Sequence, residues 1–426
     1  MILAGDDTKS ISDLRGNKLK TITAEGFSSP FENMPKLKVL ILMQQQNPYQ
    51  TKYVMHNAFK NLPALEDLWL NDNLLTNFPH PALSQSSSPL SSLKYLHLEN
   101  NALTSLTSFA SSDFSPLLED LHANQERIHK PFERITALQR LFVHSNQIPS
   151  VQEEDLWLLN NLQQLYLSGN RLTNATVHPE TFRNLSSLTR LDLDSNNCHY
   201  VPVAVQGKSH LPVVNTLYLS SNSITYILQG TFKALDTLRS LYLQNNDIVA
   251  VENGAFPEGI GTINLGNNKF NFKHENQFTN LSQLTSLSLY NNLINVIPDT
   301  AFHGLTALSA LSLQDNQICR ILKIMFKDLS SLTSLNLRSN DIAFIEDGTL
   351  SVMTKFTYLD LTYNQLTTLP AGGDFHNKRL DKLYISNNRI TTIANGTFVN
   401  VTCSGSCGQT SRNIVWYVKI SFYQKK

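Results

Sequence analysis

Cysteine is scarce in this chain: four in 426 residues, too few for a scaffold built on disulfides. Charge is scarce as well. Lys plus Arg number 34 and Asp plus Glu 34, so only 16% of residues are charged and the formal net charge is zero. A neutral chain lacks the basic surface that binds nucleic acid by releasing counterions, so no nucleic-acid partner is expected. No apolar run approaches the ~20 residues that span a bilayer, and no membrane span is expected. The opening MILAGDDTKS turns acidic too early for a secretory leader. Catalytic signatures are missing too. There is no G-x-S-x-G elbow, no H-E-x-x-H and no C-x-x-C, and Gly207-Lys208-Ser209 lacks the upstream glycine of a phosphate loop. The chain is expected to be no enzyme and to need no cofactor or metal.

What is present is 41% apolar residues, enough for a large core, arranged in a repeat. Leu284, Leu287, Leu289, Asn292 and Ile294 recur 24 residues later as Leu308, Leu311, Leu313, Asn316 and Ile318. The same slots are filled around Asn340, Asn364 and Asn388, and upstream around Asn73, Asn101, Asn146, Asn170, Asn196, Asn222, Asn246 and Asn268. Gln45 and Glu126 stand in the asparagine slot of two degenerate repeats, the second and the fifth, and Leu14, Asn17 and Leu19 form a partial first one. About sixteen repeats result. Leu-x-Leu alternates with period two and predicts a short strand with one buried face. The asparagine follows where the chain leaves the strand, and its amide can both donate to and accept from backbone groups that the turn buries. Ten residues past it comes an aromatic, at Phe232, Phe256, Phe278, Phe302, Phe326 and Phe398, predicted to fill the far side of the core. One such repeat cannot bury its apolar face alone, so the units are expected to stack.

This pattern resembles the "typical" 24-residue class of leucine-rich repeats familiar from Toll-like receptor, Slit and chaoptin-type ectodomains. The resemblance covers roughly residues 11 to 400. It implies an α/β repeat fold, a right-handed curved solenoid with a parallel sheet on the concave face and a mostly irregular convex side. It also implies an extracellular or cell-surface recognition module, the ectodomain part of a receptor or adhesion protein, with a protein or glycan ligand and a homo- or heterodimer among the family's habits. A secreted matrix or carrier protein of the same fold is the alternative. Members of the class carry cysteine-rich caps, whereas this chain has no cysteine before Cys198 and an unfamiliar stretch Cys403-Ser-Gly-Ser-Cys407 with Trp416 beyond the last repeat. Residues 1–402 are therefore expected as solenoid and 403–426 as a divergent cap or tail. Two readings stay open, a fragment of a longer chain or a cap closed by a Cys403–Cys407 bridge. Cys198, in an inward leucine slot, and Cys319 are expected as thiols.

The residue between the strand leucines should line the concave face. It reads Trp69, His97, His122, Phe142, Tyr166, Asp192, Tyr218 and Tyr242, then turns small and polar from Asn264 to Asp360. Aromatics anchor interfaces because they bury much area at little entropic cost, though β-propensity alone also favours them in strands. Beside them Glu66, Asp67, Asp72, Glu99, Glu119 and Asp120 make an acidic patch, opposed mainly by Lys94, that would steer a cationic segment of a partner. His97 and His122 are expected side by side on successive strands, with His144 a repeat further; such a cluster could titrate as a pH switch and makes a poor metal site, and exposed histidines with no role are the commoner reading. Glycosylation sequons fall at Asn174, Asn184, Asn280, Asn395 and Asn400, all on connecting segments.

Overall fold

A Leu-x-Leu pair buries both leucines on one side only if the backbone is extended, since alternate side chains then point to opposite faces. The computed structural model describes residues 10–19, 21–22, 31, 34–45, 53–54, 58–59, 61–77, 79, 90–106, 135–206, 211–370, 374–375, 379–395 and 397–402. It forms two compact units, Met1–Tyr218 and Leu219–Lys426.

The first unit carries eight parallel three-residue strands among its described residues, in chain order: Ile11–Asp13, Val39–Ile41, Asp67–Trp69, Tyr95–His97, Arg140–Phe142, Gln164–Tyr166, Arg190–Asp192 and Thr216–Tyr218. The second carries seven: Ser240–Tyr242, Thr262–Asn264, Ser286–Ser288, Ala310–Ser312, Ser334–Asn336, Tyr358–Asp360 and Lys382–Tyr384. Registers align leucine on leucine, as Leu287 on Leu311 and Leu311 on Leu335. The central leucines are buried, and the flanking positions form an open face. Among the described residues helix is nearly absent: the connections hold one short α-helix, Glu153–Leu156, and 3-10 turns such as Lys323–Phe326.

The asparagine slot works as expected. Asn316 Nδ2 donates to the carbonyls of Leu289 (2.9 Å), Leu313 (3.0 Å) and Gln314 (3.2 Å), and its Oδ1 accepts from Ile294 N (3.1 Å). Each asparagine thus ties its own turn to the preceding one. The residue just before it adopts the left-handed region, as at Asn291 (φ 48°) and Ser339 (φ 51°), which explains the small polar residues found there. Gln45 fills the slot after all. Its Nε2 donates to Leu14, Leu42 and Met43 carbonyls while its Oε1 accepts from Leu19 N at 3.2 Å.

Tyr95–His97 pairs directly with Arg140–Phe142, whose repeat carries the complete signature of Leu138, Leu141, Val143 and Asn146. The degenerate fifth repeat, with Ala123 in place of a leucine and Glu126 in place of the amide, lies outside the described residues.

Opposite the sheet, the phenylalanines stack into the core. Phe232 and Phe256 lie 6.3 Å apart, Phe256 and Phe278 6.0 Å, and Phe302 and Phe326 6.0 Å. Phe272 wedges edge-on between Phe278 and Phe302, at 6.2 and 6.1 Å. Cys198 is a buried thiol whose burial pushes its pKa up to about 12, and Cys319 is an exposed one. Cys403 and Cys407 lie outside the described residues.

Candidate recognition face

In-register parallel strands bring equivalent side chains to about 4.8 Å, close to the spacing at which flat rings stack. On the open face of the first unit this produces an unbroken pile. Trp69 and His97 stack with centroids 3.8 Å apart and 11° between planes. His97 and Phe142 follow at 4.3 Å and 8°, then Phe142 and Tyr166 at 4.7 Å and 12°. At the next rung the slot holds Asp192, which would break the run. Arg190 bridges the gap, because it lies two residues earlier on the same strand and therefore on the same face. Its guanidinium sits 5.0 Å from the Tyr166 ring and 4.3 Å from that of Tyr218, a cation sandwiched between two aromatics. Arg140 repeats the motif 5.3 Å over Tyr95. Neither arginine was legible as part of the stripe, though period-two spacing from Asp192 and Phe142 was the available signal.

His97 is the most enclosed member. Its side chain is 11% exposed, with Nε2 3.4 Å from Asp67 Oδ1 and Nδ1 3.6 Å from Glu99 Oε1. The contacts with Asp67 and Glu99 become ion pairs when the ring is protonated. Burial opposes a charge on the ring, but the two carboxylates outweigh it and lift the imidazole pKa above its ordinary value. His144 packs edge-on to Tyr166, at 6.4 Å. Register places Phe142 beside His97 on the adjoining strand, where the spacing of the repeats predicts His122. His122, Glu119 and Asp120 lie outside the described residues.

The described carboxylates are partly spoken for. Glu66 lies between Lys38 (3.1 Å) and Lys94 (2.8 Å). These lysines, by hydrogen bond and charge, hold Glu66 below the usual carboxylate range. Asp72 accepts from the side chains of Asn71 and Asn100, each at 2.8 Å. Asp67, Asn71 and Glu99 each keep one buried oxygen without a hydrogen bond, and the Trp69 Nε1–H on the same face is an unpaired donor. Tyr242 lies on the open face of the second unit. Asn174 and Asn184 are half-buried, while Asn280, Asn395 and Asn400 are exposed, and none lies in a strand. Among the described residues no cluster of three or more metal-type side chains forms, and no helix is long and apolar enough to cross a membrane.

A family model described as "Leucine rich repeat" matches residues 129–172, 212–258, 258–318, 318–366, 330–390 and 354–403, more than half of the chain. Among curated proteins, podocan of Mus musculus is 30% identical over 264 residues, covering 55% of this chain and 39% of podocan. Oligodendrocyte-myelin glycoprotein of Homo sapiens is 31% identical over 194 residues, covering 44% of this chain and 40% of the relative. The chain thus spans about two fifths of the length of these relatives. Among solved structures, an LRR protein of Leptospira interrogans superposes with a TM-score of 0.62 at 23% identity, covering 92% of this chain and 95% of the other. That likeness carries the fold alone.

Proposed function

The chain belongs to the leucine-rich repeat family, and from that premise we propose that it is an extracellular recognition module whose first unit binds a protein partner on the open face of its sheet. The observation that carries this reading is the ring pile from Trp69 to Tyr166, continued by Arg190 and Tyr218. Stacked aromatics and arginine form a rigid surface that loses little entropy on binding, the composition typical of interface hot spots. The carboxylates of Asp67, Asp72 and Glu99 beside the pile give this face a negative field that favours a partner presenting a basic segment. The extracellular setting rests on the repeat class, on a relative that is by name a glycoprotein, and on sequons confined to connecting segments, where glycans leave the face clear. Its place within a larger receptor or adhesion ectodomain is the finer form of the same proposal.

The test is a binding screen of the chain, expressed through a secretory route, against a library of secreted and cell-surface ectodomains. The partner found should lose at least tenfold in affinity for the double variant Tyr166→Ala/Tyr218→Ala, with an unchanged melting temperature. A partner that binds this variant as tightly as the parent removes the ring pile as the binding surface.

A further inference from the structure

The open face of the second unit is neutral and small for most of its length, with Asn264, Ser288, Ser312 and Asn336 where the first unit carries rings. Over its last three strands charge and aromatics return together. Arg338, Tyr358, Asp360, Tyr363, Lys382 and Tyr384 line a shallow basin of about 610 Å³. Tyr358 and Tyr384 meet edge to face at 5.9 Å, and the Arg338 guanidinium lies 5.2 Å over the Tyr363 ring. The one carboxylate of the basin is held by its own strand's turn. Asp360, 8% exposed, accepts from Thr362 N (2.9 Å) and Oγ1 (2.6 Å). Arg338 and Lys382 are exposed, and neither makes an ion pair among the described residues. They stand at opposite ends of the basin, two rungs and four residues apart in register, roughly 16 Å by strand spacing and rise.

We propose that this basin binds an acidic saccharide, a short sugar chain bearing carboxylate or sulfate groups. Two cations that make no ion pair among the described residues call for an anionic ligand long enough to reach both. Tyrosine rings offer flat walls to the C–H faces of sugar rings, and the remaining lining residues, Thr362, Ser386 and Asn387, supply hydroxyl and amide partners. An acidic peptide fits less well. No aliphatic side chain lines the basin, so a peptide finds no apolar pocket. The backbone of the central floor strand is paired on both sides, so it offers no free edge for strand addition.

Calorimetric titration of the chain with a heparin tetrasaccharide and a hyaluronan tetrasaccharide tests this and separates sulfate from carboxylate recognition. At least one should bind, more weakly as salt rises. Arg338→Ala and Lys382→Ala should each weaken that binding about tenfold or more while leaving the melting temperature unchanged, since both side chains are exposed. Tyr384→Ala should weaken it as well. The Tyr166→Ala/Tyr218→Ala variant should bind the saccharide normally, which keeps this outcome separate from that of the first unit. The proposal fails if neither saccharide binds, if Arg338→Ala and Lys382→Ala bind as the parent does, or if hexaglutamate binds more tightly than both sugars.

Discussion

Replacing Asn316 with Ala removes four hydrogen bonds, yet their losses are unequal. The carbonyl of Leu289 keeps the amide of Asn292, and that of Leu313 keeps the amide of Asn340. The Gln314 carbonyl keeps Asn291 N. Only the Ile294 N–H is left with nothing, and Ile294 is fully buried. An orphaned buried donor costs about 1–3 kcal/mol, and three weakened carbonyl contacts add to it, so Asn316→Ala should destabilise by ~2–4 kcal/mol. Asn316→Asp separates the two halves of the role. It keeps the acceptor for Ile294 but sets a carboxylate against three carbonyl oxygens. It should therefore be worse than Ala at neutral pH and recover as acid protonates the group and restores a donor. Urea denaturation at pH 7 and pH 4.5, with hydrogen exchange at the Ile294 amide as the local probe, checks both because an array can unfold in parts. A shift for Asn316→Ala under 0.5 kcal/mol with Ile294 still protected, or an Asp variant indifferent to pH, would refute the reasoning.

Two further outcomes follow from the structure. Phe302→Ala empties a core site with 1% exposure between Phe326 and Phe272, and should cost about 3–5 kcal/mol in the same urea assay; a cost under 1 kcal/mol would show that the phenylalanine row is not core. For His97 the folded pKa lies above the unfolded value, so its contribution to stability is complete below about pH 6.5 and is lost as pH rises through the raised pKa. Stability should therefore decline above pH 6.5 by an amount that His97→Gln removes, and an NMR titration midpoint for His97 below 6.5 would mean that burial outweighs the two carboxylates.

The repeat was legible because each rung obeys a local rule. Leu-x-Leu sets the strand face, asparagine closes the turn, and phenylalanine marks the return, so fold class and inward residues could be read directly. Trp69, Phe142, Tyr166 and Tyr218 were legible as outward residues by the same rule. The direct pairing of Tyr95–His97 with Arg140–Phe142 was harder, because a spacing argument counts Leu121 and Glu126 as a weak repeat between them and cannot tell which rungs adjoin.

The sequence by itself determined the period, the buried leucines, the amide ladder and the class of surface each strand presents, because these depend on neighbours within one repeat and its copy 24 residues away. Tertiary structure alone decided who touches whom across the face. It put Phe142 beside His97, slid Arg190 between Tyr166 and Tyr218, set Glu66 between Lys38 and Lys94, and gathered Arg338, Lys382 and three tyrosines around one basin. The reason is physical. A long side chain reaches diagonally over several ångströms, so its partner depends on which rungs adjoin and which rotamer packs, and neither is written in a periodic pattern.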